Sequence, residues 1–363
     1  MNISLIQADQ LTAEQLAVWD RLQRENVALE SPCFRPEFTQ GVDAVRGGVE
    51  VAVLEEKGET VGFFPFERTS EDLAQPVGGP LADYQGVVAR QDLPWSATEL
   101  LDACSLKAWS FNHLIASQES LQPYHYHLSE SPYIDISRGF DAYYAELRQR
   151  GSREVKQTLR KCRKVEREIG PLRFVPHTTD PEVLETLIEW KRRQYSRTKV
   201  TNPFDLPWTT PFLSRAISEG TDAFSTMLSS LYIGDELVAV HVGLRSAGVV
   251  HGLSQSYNRK FAKFSPGIML LVKLAQQAES LGLRRIEFGK GPEIFKSRLK
   301  TGATPLAVGS VDLRPLAAPA RRALFQTRHW VLNSRLYRPA RATARVGARV
   351  FPPLKGWLSL RGI

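Results

Sequence analysis

Ser265, Pro266 and Gly267 stand just behind Arg259, Lys260 and Lys263 in the run SYNRKFAKFSPGIML. Ser suits the capping position of a helix, and Pro suits the first helical position, where its missing amide hydrogen costs nothing. Gly lets another group approach the backbone closely. A helix starting here would aim unpaired backbone amides outward beside three cations, which is chemistry suited to a phosphate or pyrophosphate. The plainer alternative is an ordinary helix start. Metal chemistry finds no comparable pattern: Cys33, Cys104 and Cys162 are far apart and lack ligand spacing. They read as reduced thiols with packing roles.

The elements that must position this turn can be read on either side of it. In Leu237 to Leu244 the alternation puts Val238, Val240 and Val242 on one face and Leu237, Ala239, His241 and Gly243 on the other. Ser246-Ala247-Gly248 turns the chain, and Val249 to Tyr257 returns with His251, Leu253, Gln255 and Tyr257 sharing a face. After Ser265 a helix carries Leu270, Leu271, Leu274, Ala278 and Leu281, with Gly282 placed to end it. Arg285 to Phe288 makes a short strand, with Glu287 opposite Ile286 and Phe288, and opens into Gly289-Lys290-Gly291-Pro292.

Upstream, residues 11 to 30 are expected to be helical, and Val49 to Arg68 reads as a hairpin around Lys57-Gly58. Ser152 to Ile169 is a stronger helix, with a stripe of Val155, Leu159, Cys162, Val165 and Ile169. Its other faces carry seven Arg and Lys among three Glu, a pattern that usually means a solvated surface. A further helix is expected from Pro181 to about Arg197, then a polar connection from Thr198 to Pro211.

At 363 residues the chain has room for two domains, and 42% hydrophobic content marks it as globular rather than disordered. The opening residues lack the pattern of a secretory signal, and no apolar run reaches the ~20 residues of a membrane span. The expectation is a soluble, cytoplasmic protein. Its net charge of +8 arises in residues 313–363, which hold eleven Arg and Lys and no Asp or Glu. The rest therefore sums to 8 − 11 = −3, so the basicity does not mark a nucleic-acid-binding body, and no specific nucleic acid is expected. The terminal region mixes Arg with Leu324, Phe325, Trp330, Leu336 and Trp357 in short Pro-separated pieces. It reads as a flexible basic tail or as a peripheral membrane contact.

Three segments, FDAYYAELRQRGSREVKQTLRKCRKVEREIG, SYNRKFAKFSPGIML and RRIEFGKGPEIFKSRL, resemble the motif set of the CelD-type acyltransferases. These are GNAT-superfamily proteins of cellulose and other exopolysaccharide biosynthesis, related to a FemAB-like branch. SPCFRPEF, VGFFPFER and PVGGPLADYQGVV extend the similarity into the N-terminal half. The resemblance implies an α/β (α+β) fold of tandem GNAT-like modules, with mixed central sheets flanked by helices. The modules would span residues 1–136 and 137–312, followed by the basic tail 313–363. It further implies acyl transfer from acetyl-CoA or another acyl-CoA to a hydroxyl or amine, such as a sugar of an exopolysaccharide precursor, without a metal.

On that reading the donor pyrophosphate lies against Arg259, Lys260, Lys263, Ser265, Gly267 and Ile268, although the superfamily's usual Gly-x-Gly or Gly-x-Ala turn is replaced here. Direct transfer needs a group to take the acceptor's proton. His241, whose ordinary pKa is ~6.5, and Glu287 are the candidates for it. Tyr257 would reprotonate the leaving thiolate, and Lys296 would stabilise developing charge or pair with Glu287. Asp83 and Tyr84 would contact the acceptor, while His251 reads as structural. Two alternatives stay open: a non-catalytic partner of polysaccharide-synthesis enzymes, and an aminoacyltransferase using charged tRNA, as FemAB-like relatives do.

Overall fold

The structure is a computed structural model describing residues 1–198, 202–291 and 293–333. The N-terminal half runs β1 (Asn2–Gln7), α1 (Ala13–Glu25), α2 (Pro36–Arg46), β2 (Val49–Glu56), β3 (Glu59–Ser70), β4 (Leu73–Gln75), β5 (Val88–Ala89), α3 (Ala97–Ala103), β6 (Ala108–Ile115) and β7 (His125–Asp135). Next come α4 (Gly139–Gln149), α5 (Glu154–Glu168), β8 (Leu172–Val175), α6 (Pro181–Thr198), α7 (Thr209–Ser218), β9 (Ser225–Ile233), β10 (Glu236–Ser246) and β11 (Val249–Tyr257). The chain then forms α8 (Pro266–Gln276), β12 (Arg285–Glu287), α9 (Ile294–Leu299), β13 (Gly302–Asp312) and α10 (Ala317–Asn333).

All described strands join one mixed sheet, in the order β1-β2-β3-β4-β6-β13-β7-β12-β11-β10-β9-β8, with β5 branching from β3. Two long-range pairings build the centre. Strand β12 lies between β7 and β11, and β13 returns across the molecule to lie between β6 and β7. One face is covered by α1, α2, α6 and α7, whose core draws on both halves of the chain. Phe38 meets Phe212 edge-on at 5.6 Å, and Trp19 stacks on Phe63 at 4.6 Å. Helices α4, α5 and α8 cover the other face around Tyr143, Val155, Leu271, Leu274 and Ile286. Burying several such side chains, each contributing ~1.5–3 kcal/mol, fixes these helices to the sheet.

Local patterns hold where they are strong. The 49–68 hairpin turns at Lys57 and Gly58, both left-handed, and α5 buries Val155, Cys162 and Val165. Ile169, expected on that stripe, is exposed because the helix ends at Glu168. The first expected helix closes at Glu25 rather than near residue 30, where Asn26 leaves the helical conformation.

Two bulges break the expected alternations. An irregularity between Leu237 and Ala239 sends Val238 into the cluster of Phe261 and Leu270, apart from Val240 and Val242. On β11 the register passes from Ser254 to Gly252, leaving Leu253 as the extra residue. Beyond it the faces exchange: His251 meets Ser31, whereas Gln255 and Tyr257 lie beside Gly267 at the start of α8. Nor is the terminal region short pieces from its start, since residues 317–333 form one helix packed on β13 and β7. Residues 334–363, including Leu336 and Trp357, lie outside the described residues. No described helix is long and apolar enough to cross a membrane.

Candidate active site at a forked pair of strands

Strand β12 is short, and it pairs with β11 only at Val249, Val250 and His251. From Gly252 to Tyr257 the β12-facing edge of β11 has no partner in β12, which gives way to Phe288 and the Gly289 turn. The two strands therefore form a fork. A Cβ on Gly252 would lie 2.7 Å from His241 Nε2 and 3.2 Å from the Glu287 carbonyl, so this position has no room for a side chain.

The closed end of the fork receives residues from the N-terminal half. The 76–87 loop is pinned to β6: the Gln85 amide donates to the His113 carbonyl and the Ile115 amide to the Gln85 carbonyl, each at 3.0 Å. The Gln85 side-chain oxygen also accepts the amides of Asn112 and His113, both at 2.9 Å. Asp83 and Tyr84 are thereby held against β11 and β12. Tyr84 donates its hydroxyl to Glu287 Oε2 at 2.7 Å, and its ring stands edge-on to His251 at 4.7 Å. Asp83 Oδ2 lies 3.4 Å from His251 Nε2, and Oδ1 lies 3.9 Å from His113 Nε2. On its other side His251 Nδ1 meets the Ser31 hydroxyl at 3.2 Å.

The charges at this end are unequal in role. Glu287 is 2% exposed, and Arg285 Nε stands 2.6 Å from its Oε1. The same guanidinium donates to Glu30 at 2.9 Å and Thr304 at 2.7 Å and lies 3.7 Å over the Tyr133 ring. Burial raises the Glu287 pKa, against the opposing pull of His251, Arg285 and the Tyr84 hydrogen bond. Both oxygens being engaged, Glu287 is placed to tie the two halves together rather than to receive an acceptor's proton. Burial also works to raise the Asp83 pKa, but His251, His113 and Lys296 outweigh it and hold the carboxyl below its ordinary value. Asp83 is thus a carboxylate at neutral pH with its side chain 22% exposed.

The remaining expected site residues fall elsewhere. His241 is in the fork region beside Gly252 but 4% exposed, and burial drives its pKa down to about 4. Its buried ring is out of reach of an incoming acceptor, unlike the partly exposed Asp83. Lys296 does not pair with Glu287. Its ammonium donates to the carbonyls of Gly289 and Lys290 at 3.1 and 3.3 Å and meets Glu293 at 3.1 Å, bracing the turn beside Asp83. Tyr257 is exposed at the open end, six residues along the strand from His251 and so roughly 20 Å from it. That separation removes it from the acid role at the closed end.

At the open end Ser265 is left-handed (φ 61°) and makes no side-chain cap; instead its hydroxyl accepts from Lys161 of α5 at 2.9 Å. The amides of Ile268 and Met269 both donate to the Ser265 carbonyl, and Gly267 is buried in the first turn between them and Ser265. A Cβ on Gly267 would lie 2.7 Å from the Gln255 side chain, so α8 starts directly against the free part of β11. Arg259, Lys260 and Lys263 are exposed on the preceding 3-10 turn, where Glu236 holds Lys260 at 3.1 Å. Ser265, Gly267 and Ile268 thus meet at one helix start with a cation from α5. That cation was concealed in sequence among the seven of a solvated-looking face.

His251, His113 and Ser31 were not expected in the site. The quoted motif around Asp83 was the available signal for that region, and nothing local marked its histidine partners. Among the described residues no group of three or more His, Cys, Asp or Glu is arranged to hold a metal ion.

Residues 153–297 match the acetyltransferase (GNAT) domain family. No curated protein matches the sequence. Among solved structures, the chain is similar to the C-terminal domain (DUF2156) of a putative lysylphosphatidylglycerol synthetase from Agrobacterium fabrum. That likeness has 13% identity and a TM-score of 0.52, over 89% of this chain and 98% of the other. It is also similar to FemX at 12% identity and a TM-score of 0.53, over 88% of this chain and 99% of the other. At these identities the likeness concerns the fold alone, and the GNAT domain match covers residues 153–297 of it.

Proposed function

We propose that the protein transfers an acyl group from an acyl-CoA to an amine or hydroxyl, with a sugar of an exopolysaccharide precursor as the acceptor class suggested by its sequence resemblance. One observation carries the reading: the β11/β12 fork has an ionised, partly exposed carboxylate at its closed end and a helix start with a neighbouring cation at its open end. An acyl-CoA would supply a thioester carbonyl for the acceptor to attack, with departure of its thiolate. Lys161 and the first-turn amides of α8 would hold the donor's phosphates, and the edge of β11 left free by β12 would receive the acyl arm.

Asp83 is the proton acceptor in this scheme. Its low pKa is no obstacle, because an attacking amine or hydroxyl becomes strongly acidic as its bond to the carbonyl forms. His251 and His113 keep the carboxylate charged and oriented, and Ser31 fixes the His251 ring. Glu287, Arg285 and Tyr84 keep the fork closed at its base.

The test incubates the full-length protein with acetyl-CoA and a panel of amino sugars and neutral sugars, following free thiol and product mass. The expected result is acceptor-dependent thiol release that Asp83→Asn abolishes. Acyl-CoA binding without release for any acceptor would favour the non-catalytic partner instead. Failure to bind any acyl-CoA, together with binding of charged tRNA, would replace the donor.

A further inference from the structure

Helix α10 has an inner side of mixed polar and aromatic contacts and an apolar outer side. Its inner side is fixed by Arg321, which donates to Ser110 at 2.7 Å and lies 3.5 Å from Asp312, and by Phe325, whose ring is 5.7 Å from Tyr126. His329 completes this side, 4.2 Å from the His127 ring. These contacts set the rotation of the helix.

At ~100° per residue the opposite side is an arc of roughly 120° containing Ala320, Ala323, Leu324, Thr327 and Trp330, with Leu316 just ahead of the helix on the same line. No charged residue falls in it. Leu316 is 85% exposed, Leu324 59% and Trp330 61%. Arg328 lies about 40° beyond the Leu324 edge of the arc, whereas Arg322 is turned inward over the Tyr126 ring, 5.9 Å from its centroid. An amphipathic helix ordinarily turns its apolar stripe inward, so an outward one needs a cover.

Charge indicates what that cover is. Residues 313–363 carry eleven Arg and Lys and no acidic residue, so the covering surface must accept apolar side chains and also be anionic. A nucleic acid meets the second requirement only, since it would need cations in the contacting arc, and Arg321 is turned inward to Asp312. We propose that α10 lies in the interface of a bilayer containing anionic phospholipid, with Leu316, Leu324 and Trp330 below the headgroups, drawn there by the net positive charge of residues 313–363. This docking is independent of the acyl-transfer reading.

The test is co-sedimentation of the full-length protein with vesicles of phosphatidylcholine alone and of phosphatidylcholine with one quarter phosphatidylglycerol. Binding is expected to the second composition, to weaken about tenfold or more between about 0.1 and 0.5 M NaCl, and to be negligible on the first. Leu324→Glu and Trp330→Glu should each weaken it about fivefold or more while leaving the thermal midpoint unchanged, because both side chains are mostly exposed. Equal binding to both compositions, or binding that survives both substitutions, would overturn the proposal. So would self-association abolished by the same substitutions without vesicle binding, which would assign the stripe to a second copy. RNA binding without vesicle binding would overturn it too.

Discussion

Replacing Asp83 by Asn keeps the shape of the side chain and removes its charge. The carboxylate lies 3.4 Å from His251 and 3.9 Å from His113, beside a turn braced by Lys296, and an amide fits the same space. Loss of a positioned general base typically costs ~10²–10⁴ in rate. The donor-binding end of the fork is roughly 20 Å away along β11. The reduction should therefore fall on kcat and kcat/KM together, with the KM for acyl-CoA changed less than about threefold.

Stability supplies a second reading of the same variant. The Asp83 pKa is lowered in the folded state, so the charge stabilises the fold above the ordinary carboxyl range, and that contribution is lost as pH falls through the native value. Asp83→Asn should accordingly be less stable than wild type at pH 7, and the gap should close on acidification. Steady-state kinetics on an accepted sugar, with urea unfolding at several pH values, measures both. Turnover within about tenfold of wild type would refute the assignment of Asp83 as base.

Tyr84→Phe leaves a buried carboxylate oxygen of Glu287 without its donor and should cost about 1.5–3 kcal/mol in urea unfolding. Gly289→Ala places a side chain at φ +67°, against the Asp83 carboxylate. The backbone alone should cost ~1–2 kcal/mol, and activity should fall with it as Asp83 is displaced. Burial lowers the Lys191 pKa to about 8, despite the opposing charge of Glu293. Its charged form thus weighs against folding at pH 7, and stability rises between about pH 8 and 10.5. Lys191→Met should stabilise by about 1–3 kcal/mol at pH 7, a gain that disappears by about pH 10.5 in unfolding curves.

What the sequence made legible was local. The β2–β3 hairpin, α5 and the α8 start with Gly267 follow from short-range periodicity and turn chemistry. Missing were the pairings that bring distant segments together: β12 against β7, and β13 between β6 and β7. No short-range pattern encodes them. The site suffers from the same blindness, since Asp83 meets His251 and His113 only through that sheet. Alternation also misled where bulges intervene, as at Leu253. His241 has a favourable ordinary pKa, and only its burial in the folded sheet shows why an acceptor cannot reach it.

The central claim is that the fork holds an acyl-CoA with its phosphates at the start of α8. Calorimetric titration of the full-length protein with acetyl-CoA tests it most directly. The account predicts one binding event per chain, weakened about three- to tenfold by Lys161→Ala and unaffected by Asp83→Asn. No binding of acetyl-CoA or of any longer acyl-CoA would contradict it.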